Sequence, residues 1–511
     1  MWENRSLAPV SPLSPLSPPS SSARILFPLL ALCTAVCAQS PSEFRFARED
    51  VLGSSSSLVV TAPNEAAAHR AEEAVFGEVA RLRAVLSTWD AESELSRLIA
   101  AHGGKPSTDL TMALQLAAKW RTASHGAFEP GTAKLALAWS EAEKSGKSPD
   151  EQELAAAVAA LKTPAWTLTN GQLVVRAPFT LDGMAKGHII DLASRMVTEI
   201  PGVDLVSFQI GGDTRLGKAA QEIALADPRH PAANAGMLMT LRLANGAVAS
   251  SGGYARGFDL AGVHHSHILD PRTGQPCDNV LGASVVAKDV ATADALATTL
   301  CVLGPAEGLK MVASMPGTEA VIVTADGQVH ESRGMHALVV AAPDDNAPQA
   351  NTNWPKGFAL QVDFEIKAPA NSSGRGRGGW KRPYVAVWIE DLTGTPARTL
   401  CLWGDERRWL RELRRWARQN AETPRLVELV SQATRKAGSY TLTWDGTDDE
   451  GRALVPGHYT VILEASREHG SYQLMRKEVE LGQKAFHEEF EDNEEIGKAK
   501  ITFGKAGKKG S

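Results

Sequence analysis

The sequence predicts an α+β chain, with a domain of mixed helices and strands over residues 39 to 342 and a β-sandwich-like domain behind it. Three observations carry this. Ala- and Leu-rich stretches at helical spacing come first, and short β-branched runs between turn residues take over from Trp166 onward. A Pro-, Asp- and Asn-rich break at residues 342 to 348 then precedes alternating strands. Helices ahead of strands, then mixed elements, allow α+β or mixed α/β for residues 40 to 342.

Taken in order, residues 56 to 61 read as a strand and 65 to 86 as a helix, with Ala74, Leu82 and Val85 at near-helical spacing among charges. Further helices are expected over 110 to 124 and 150 to 161. Short strands follow at 173 to 175, 178 to 181, 203 to 210 and 222 to 226. Residues 237 to 243 and 247 to 250 are expected to pair as a hairpin across Ala244-Asn245-Gly246. An Ala- and Leu-rich helix over 291 to 302 stops at Gly304-Pro305, and 320 to 324 pairs with 328 to 331 across Ala325-Asp326-Gly327. Residues 343 to 355 read as a linker and 356 to 482 as the β-rich domain. That domain has strands at 358 to 366, 384 to 390 and 399 to 403, a Trp/Arg-rich helix over 406 to 418, and a strand–acidic turn–strand passage from 439 to 463. Residues 483 to 511, rich in Lys and Glu, are expected to be a charged mobile tail.

The chain has 511 residues and a formal charge of -6, with no basic domain, which argues against a nucleic-acid partner. Residues 1 to 38 read as a signal peptide. A Ser/Pro-rich start leads through Arg24 to an apolar run too short to span a bilayer, closing on Val36-Cys37-Ala38. Export to the periplasm or the outer face of the cytoplasmic membrane is the expectation. Beyond the signal only Cys277, Cys301 and Cys401 occur, with no CxxC. They read as buried thiols, with a Cys277–Cys301 pair left open.

Four clusters can carry chemistry. Gly183-Met184-Ala185-Lys186-Gly187 sits at an expected strand-to-helix join, where backbone N–H groups and a lysine suit phosphate oxygens; a solvated turn explains it equally. Gln209-Ile210-Gly211-Gly212-Asp213 lets a ligand approach the backbone, with Asp213 able to accept from ribose hydroxyls. Ser251, Gly252, Tyr254 and Arg256 precede His264-His265-Ser266-His267 and Asp270-Pro271-Arg272-Thr273-Gly274, which offer a base, a carboxylate and a phosphate clamp, or simply a good turn. The histidines lack zinc-ligand spacing. Finally, Asp294 and Thr298 share one face of a helix, a carboxylate and a hydroxyl of the hard-oxygen type that magnesium takes.

In this order the clusters resemble the ApbE family, the FAD:protein FMN transferases. The resemblance begins at Leu86-Ser87-Thr88-Trp89 and residues 93 to 98, passes through Gly126-Ala127-Phe128-Glu129-Pro130, and covers roughly residues 55 to 338. Its most specific parts are Ser266 to Gly274 and Ala293 to Thr299. It implies an extracytoplasmic enzyme that cleaves FAD, releases AMP and joins FMN by phosphoester to a Thr or Ser of an acceptor, a membrane-associated or exported electron-transfer protein. By resemblance, Mg2+ falls to Asp294, Thr298 and the Ala185 carbonyl. The flavin nucleotide falls to Gly183, Met184, Ala185, Lys186, Gly211, Gly212, Asp213, Ser251, Gly252, Tyr254, His267 and Arg272. His267, Asp270 and Lys186 are the catalytic candidates. An exported FAD-binding or FAD-hydrolysing protein without transfer is the alternative, because the chain departs from the family pattern at Thr180, Asp182, Gln209 and Ile99. The rear domain resembles a predicted periplasmic domain of unknown function.

Overall fold

The computed structural model describes residues 41–229, 237–253, 257–341, 358–367, 382–404, 410–419, 431–432, 434–435, 437–449, 453–467, 471–482 and 484–505. The expected signal, the linker, Tyr254, Arg256 and the first residues of the expected Trp/Arg helix lie outside them.

Eight antiparallel strands form the main sheet, and their spatial order follows the chain. They are β1 (Ser42–Val51), β2 (Ser54–Ala62), β3 (Asp204–Ile210), β4 (Asp213–Leu216), β5 (Ala247–Gly252), β6 (Val280–Ala287), β7 (Glu319–Thr324) and β8 (Val329–Glu331). Alternation along each strand gives the sheet two apolar faces. Ala247, Ala249, Val285 and Ile322 face a layer of helices, together with Leu58, Phe208 and Ile210. That layer includes α1 (Glu65–Leu86), α2 (Asp182–Arg195) and α3 (Val290–Ala313). The opposite side, with Val248, Val286, Val321 and Val323, packs on Leu225, Leu241 and Leu243 of a three-stranded sheet.

This layering corrects the hairpin expected across Asn245. Met237–Leu243 pairs instead with Gln221–Ala226 and Val339–Ala341, whereas β5 lies between β4 and β6. The turn residues bond to β4 and its flank rather than joining two paired strands: the Asn245 N–H donates to Gly217 O at 2.6 Å and the Leu216 N–H to Gly246 O at 2.9 Å. Both strands keep their apolar faces by crossing into stacked sheets.

Residues 178 to 181 do not form the expected strand. The helix Ala133–Ser145, unforeseen in the sequence, packs with Glu151–Ala160 and the hairpin Gly257–Leu260/Val263–Ser266 around Trp139. α3 breaks where Gly304-Pro305 predicted: Gly304 takes φ 70°, but a second helical segment runs on to Ala313. α3 is long and apolar enough to cross a membrane, yet it is mostly buried in the first domain's core.

The rear domain is a two-sheet β-structure. Gly438–Trp444, Phe358–Ile366, Ala499–Lys505 and Phe486–Phe490 form one sheet, and five strands including Pro396–Trp403, Tyr384–Glu390, Gly457–Ser466 and Tyr472–Leu481 form the other. Phe364, Trp403, Trp444, Val461 and Phe503 fill the space between them. The expected mobile tail is therefore wrong for residues 484 to 505. Ala499–Lys505 alternates buried Ala499, Ile501 and Phe503 with outward-facing neighbours, and zips along Phe358–Ile366. Trp388, Trp403 and Trp416 are core residues, as packing predicts.

Candidate active site

The glycine–lysine segment is not a loop but the first turns of α2. The helix starts because the Asp182 N–H donates to the Thr180 hydroxyl at 3.1 Å and the Met184 and Ala185 N–H groups both reach Leu181 O. Met184 is fully buried, so only its backbone can meet a ligand. Lys186 leans across to β4, where its Nζ lies 3.0 Å from Asp213 Oδ2. Asp213 is 1 % exposed, which gives it an ion-pair role where the sequence reading offered it to ribose hydroxyls. Gly211 and Gly212 make the two-residue turn between β3 and β4. Gly211 has φ 59°, and its N–H donates to Ser55 O at 2.8 Å. A methyl group there would lie 3.1 Å from Ser54 Oγ and 3.6 Å from Lys186 Nζ. The glycines thus hold a bare backbone turn beside the lysine.

α3 crosses α2 at Gly187. A Cβ on Gly187 would fall 2.5 Å from Val290 O and 2.9 Å from Asp294 Cβ, so glycine is required at the crossing. There the Gly187 N–H donates to Asp294 Oδ2 at 2.9 Å. Asp294 is 5 % exposed. Burial, and then the neighbouring Asp213 charge, push its carboxyl well above the ordinary range, while Lys186 and the Gly187 N–H oppose them. One turn on, Thr298 Oγ1 lies 3.1 Å from Ser251 Oγ at the end of β5. It is Thr299, not Thr298, that bonds back to its own helix, at Ala295 O. A Cβ on Gly183 would touch both Thr298 Cγ2 at 3.7 Å and the Phe128 ring at 3.0 Å. Gly183, Lys186, Asp213, Ser251, Asp294 and Thr298 are therefore brought together, with Ala185 on the same turn of α2.

The second half of the predicted constellation is arranged differently. Arg272 pairs with both oxygens of Asp270 at 2.9 to 3.2 Å and also reaches Glu307 and the Val302 carbonyl. The Asp270 backbone closes the turn with Gly274 and Gln275. Asp270 and Arg272, expected as a base and a phosphate clamp, here fasten this loop to α3. His267 is exposed. Gly252 lies opposite Gly282 in the sheet, and a Cβ on Gly253 would strike Ser266 Oγ at 2.5 Å.

The departures from the family pattern acquire partners. Asp182 Oδ2 accepts from Trp89 Nε1 at 3.1 Å, Gln209 Nε2 donates to Gly211 O at 2.8 Å, and Ile99 packs against the core. Cys277 and Cys301 are free thiols, buried, with Cys277 pushed up to about 12 by desolvation. Among the described residues, no group of three or more His, Cys, Asp or Glu is gathered as a metal site. Sequence reasoning quoted Phe128 without giving it a place at Gly183, and it missed Asp191, whose partners lie far along the chain.

The model of the ApbE family matches residues 52 to 322, over half the chain. The chain belongs to the ApbE family. A second match, to a predicted periplasmic protein family (DUF2271), covers residues 360 to 498 and agrees with the exported location expected from the N-terminus. The chain is 31% identical over 253 residues to the FAD:protein FMN transferase of Rhodobacter capsulatus, covering 47% of this chain and 47% of that protein. To the FAD:protein FMN transferase of Treponema pallidum it is 29% identical over 294 residues, covering 52% and 80%. The match thus spans about half the length of the first of these relatives. Among solved structures, the ApbE protein of Thermotoga maritima superimposes with a TM-score of 0.52 at 25% identity, covering 58% of this chain and 99% of that one. The ApbE fold therefore accounts for the main sheet and its helices.

Proposed function

We propose that this chain is a Mg2+-dependent FAD:protein FMN transferase acting outside the cytoplasm on a Thr or Ser of an exported electron-transfer protein. The observation that carries it is the convergence of Asp294, Thr298 and Ser251 on the first turns of α2, beside Lys186 and the Gly211-Gly212 turn.

The donor set fits a hard cation. Asp294 and Thr298, with the Ala185 carbonyl, would hold it, and all three offer oxygen. Two buried carboxylates, Asp213 and Asp294, face a single lysine, an excess of negative charge that a divalent ion would offset. Bound there, Mg2+ would neutralise charge on the pyrophosphate of FAD. Lys186 and the positive end of α2 bind and orient the phosphates, and the bare turn at Gly211 lets them approach. In the transfer, the acceptor hydroxyl oxygen bonds to the FMN phosphorus, the phosphoanhydride bond to AMP breaks, and AMP leaves as the anion. The hydroxyl proton needs a base. Of the two candidates, Asp270 has both oxygens on Arg272, and His267 reaches the surface where an acceptor protein would dock, which favours His267.

The test is incubation of the mature chain with FAD, MgCl2 and a Thr-containing acceptor peptide. A peptide mass gain equal to FMN, absent with Asp294→Ala, is the expected result. AMP and free FMN without adduct would point to hydrolysis instead, a reading favoured by the extra carboxylate of Asp182 near the phosphate-binding turn.

A further inference from the structure

We propose that Asp191 is a positioning residue that sets the register of α3 on α2 and thereby places Asp294 and Thr298 for the cation. This rests on the reading above that these two residues hold one. Asp191 lies one helical turn beyond Gly187 on α2, and Val290 lies one turn before Asp294 on α3. At one crossing point, α3 supplies a carboxylate to α2: Asp294 Oδ2 accepts the Gly187 N–H at 2.9 Å. At the next, α2 supplies a carboxylate to α3: Asp191 Oδ1 accepts the Val290 N–H at 3.0 Å and Oδ2 accepts the Ala291 N–H at 2.9 Å. The two helices are clasped reciprocally, carboxylate to backbone amide, at points spaced alike on each.

The second clasp takes both oxygens of Asp191 and satisfies two of the orphan N–H groups at the start of α3. The negative charge also meets the positive end of that helix. Arg215 of β4 reinforces it, with Nη1 donating to the Lys288 carbonyl at 2.5 Å and lying 3.9 Å from Asp191 Oδ1. Gly187 leaves no Cβ between the helices, so they touch along their backbones and the clasp is the polar lock on their sliding. A slip would move Asp294 off the Gly187 N–H and Thr298 off Ser251 together. The start of α3 has an independent cap in Asp289, whose side chain accepts the Thr292 N–H at 2.8 Å from within the same segment. Asp289 therefore helps the helix begin without bridging it to α2, and serves as the structural control.

The experiment measures Mg2+ binding to the full mature chain by calorimetry, with no turnover, alongside thermal melting, for wild type, Asp191→Asn, Asp191→Glu and Asp289→Ala. The isosteric Asp191→Asn keeps one acceptor but turns an amide N–H toward the other donor. It should fold and bind Mg2+ roughly 10- to 100-fold more weakly, the usual effect of losing a group that orients a metal ligand. Asp191→Glu should recover part of that loss. Asp289→Ala should lower the melting temperature to a similar degree while leaving Mg2+ affinity within about twofold, since the lost cap lies within α3 and leaves the clasp intact. Wild-type affinity in Asp191→Asn, or an equal loss in Asp289→Ala, overturns the proposal while leaving the cation site standing. A wild type that takes up no Mg2+ overturns both.

Discussion

Replacing Asp294 by Asn separates the site's electrostatics from its fold. The amide is isosteric, and its oxygen can keep the 2.9 Å bond from the Gly187 N–H. What changes is the charge: a 5 % exposed carboxylate that shares its surroundings with the buried Asp213 is removed, leaving Lys186 to face Asp213 alone. Taking one of two like charges out of a buried site gains about 1–2 kcal/mol, with the lost attraction to Lys186 already subtracted. At about 2–4 °C per kcal/mol for a domain of this size, the first domain should melt roughly 2–8 °C higher in EDTA. With Mg2+ at about 100 times its Kd, wild type gains about 2.7 kcal/mol and the variant gains nothing, so the order reverses. Thermal denaturation followed by circular dichroism, in EDTA and in MgCl2, reads both effects. A variant that melts below wild type in EDTA, or gains as much from Mg2+, would refute the reasoning.

Three further predictions concern the frame around the site. Gly187→Ala drives a methyl into the Val290 carbonyl, and urea unfolding should show a loss of about 3 kcal/mol, at the upper end for overpacking because backbone must move. His188 is buried with Nε2 unsatisfied, and desolvation lowers its pKa below the usual 6.5. The folded state therefore resists a proton that the unfolded chain takes up. Its contribution is intact above about pH 6.5 and is lost as pH falls, so the gap between wild type and His188→Phe in urea midpoint should widen in the variant's favour from pH 7.5 to 5.5. Truncation after residue 482 removes Ile501 and Phe503, each 0 % exposed, with the strand that carries them. The rear domain's tryptophan-detected transition should lose several kcal/mol or vanish, while the first domain's transition stays.

Much of the site was legible because its pieces are local. Asp294 and Thr298 stand one turn apart, Lys186 lies between glycines, and Gly211-Gly212 is a turn whatever surrounds it. The helix from Glu65 to Leu86 was readable to the residue from its periodicity. What sequence could not show were pairings made over distance. The strand after Asn245 looks like half of a hairpin until Gly217 claims the turn. Asp191 reads as a surface acid until α3 arrives 100 residues later. Asp270 and Arg272, read as base and clamp, are drawn instead to each other and to Glu307. The Lys/Glu-rich tail was misjudged on composition, since a period of two hides its apolar face among charges.

β2 finds its partner β3 only after a long detour, Ser56 lying against Ile210, and α1 and α2 are spliced between them. Closing so large a loop makes assembly slow compared with the local folding of α1. On the reading proposed above, the last cation ligand, Thr298, comes later still. A chain still emerging thus has no pocket for metal or nucleotide until some three hundred residues are made. A protein destined for export in an extended form would leave the cytoplasm empty-handed, and would draw both its ion and its flavin from wherever it finally folds.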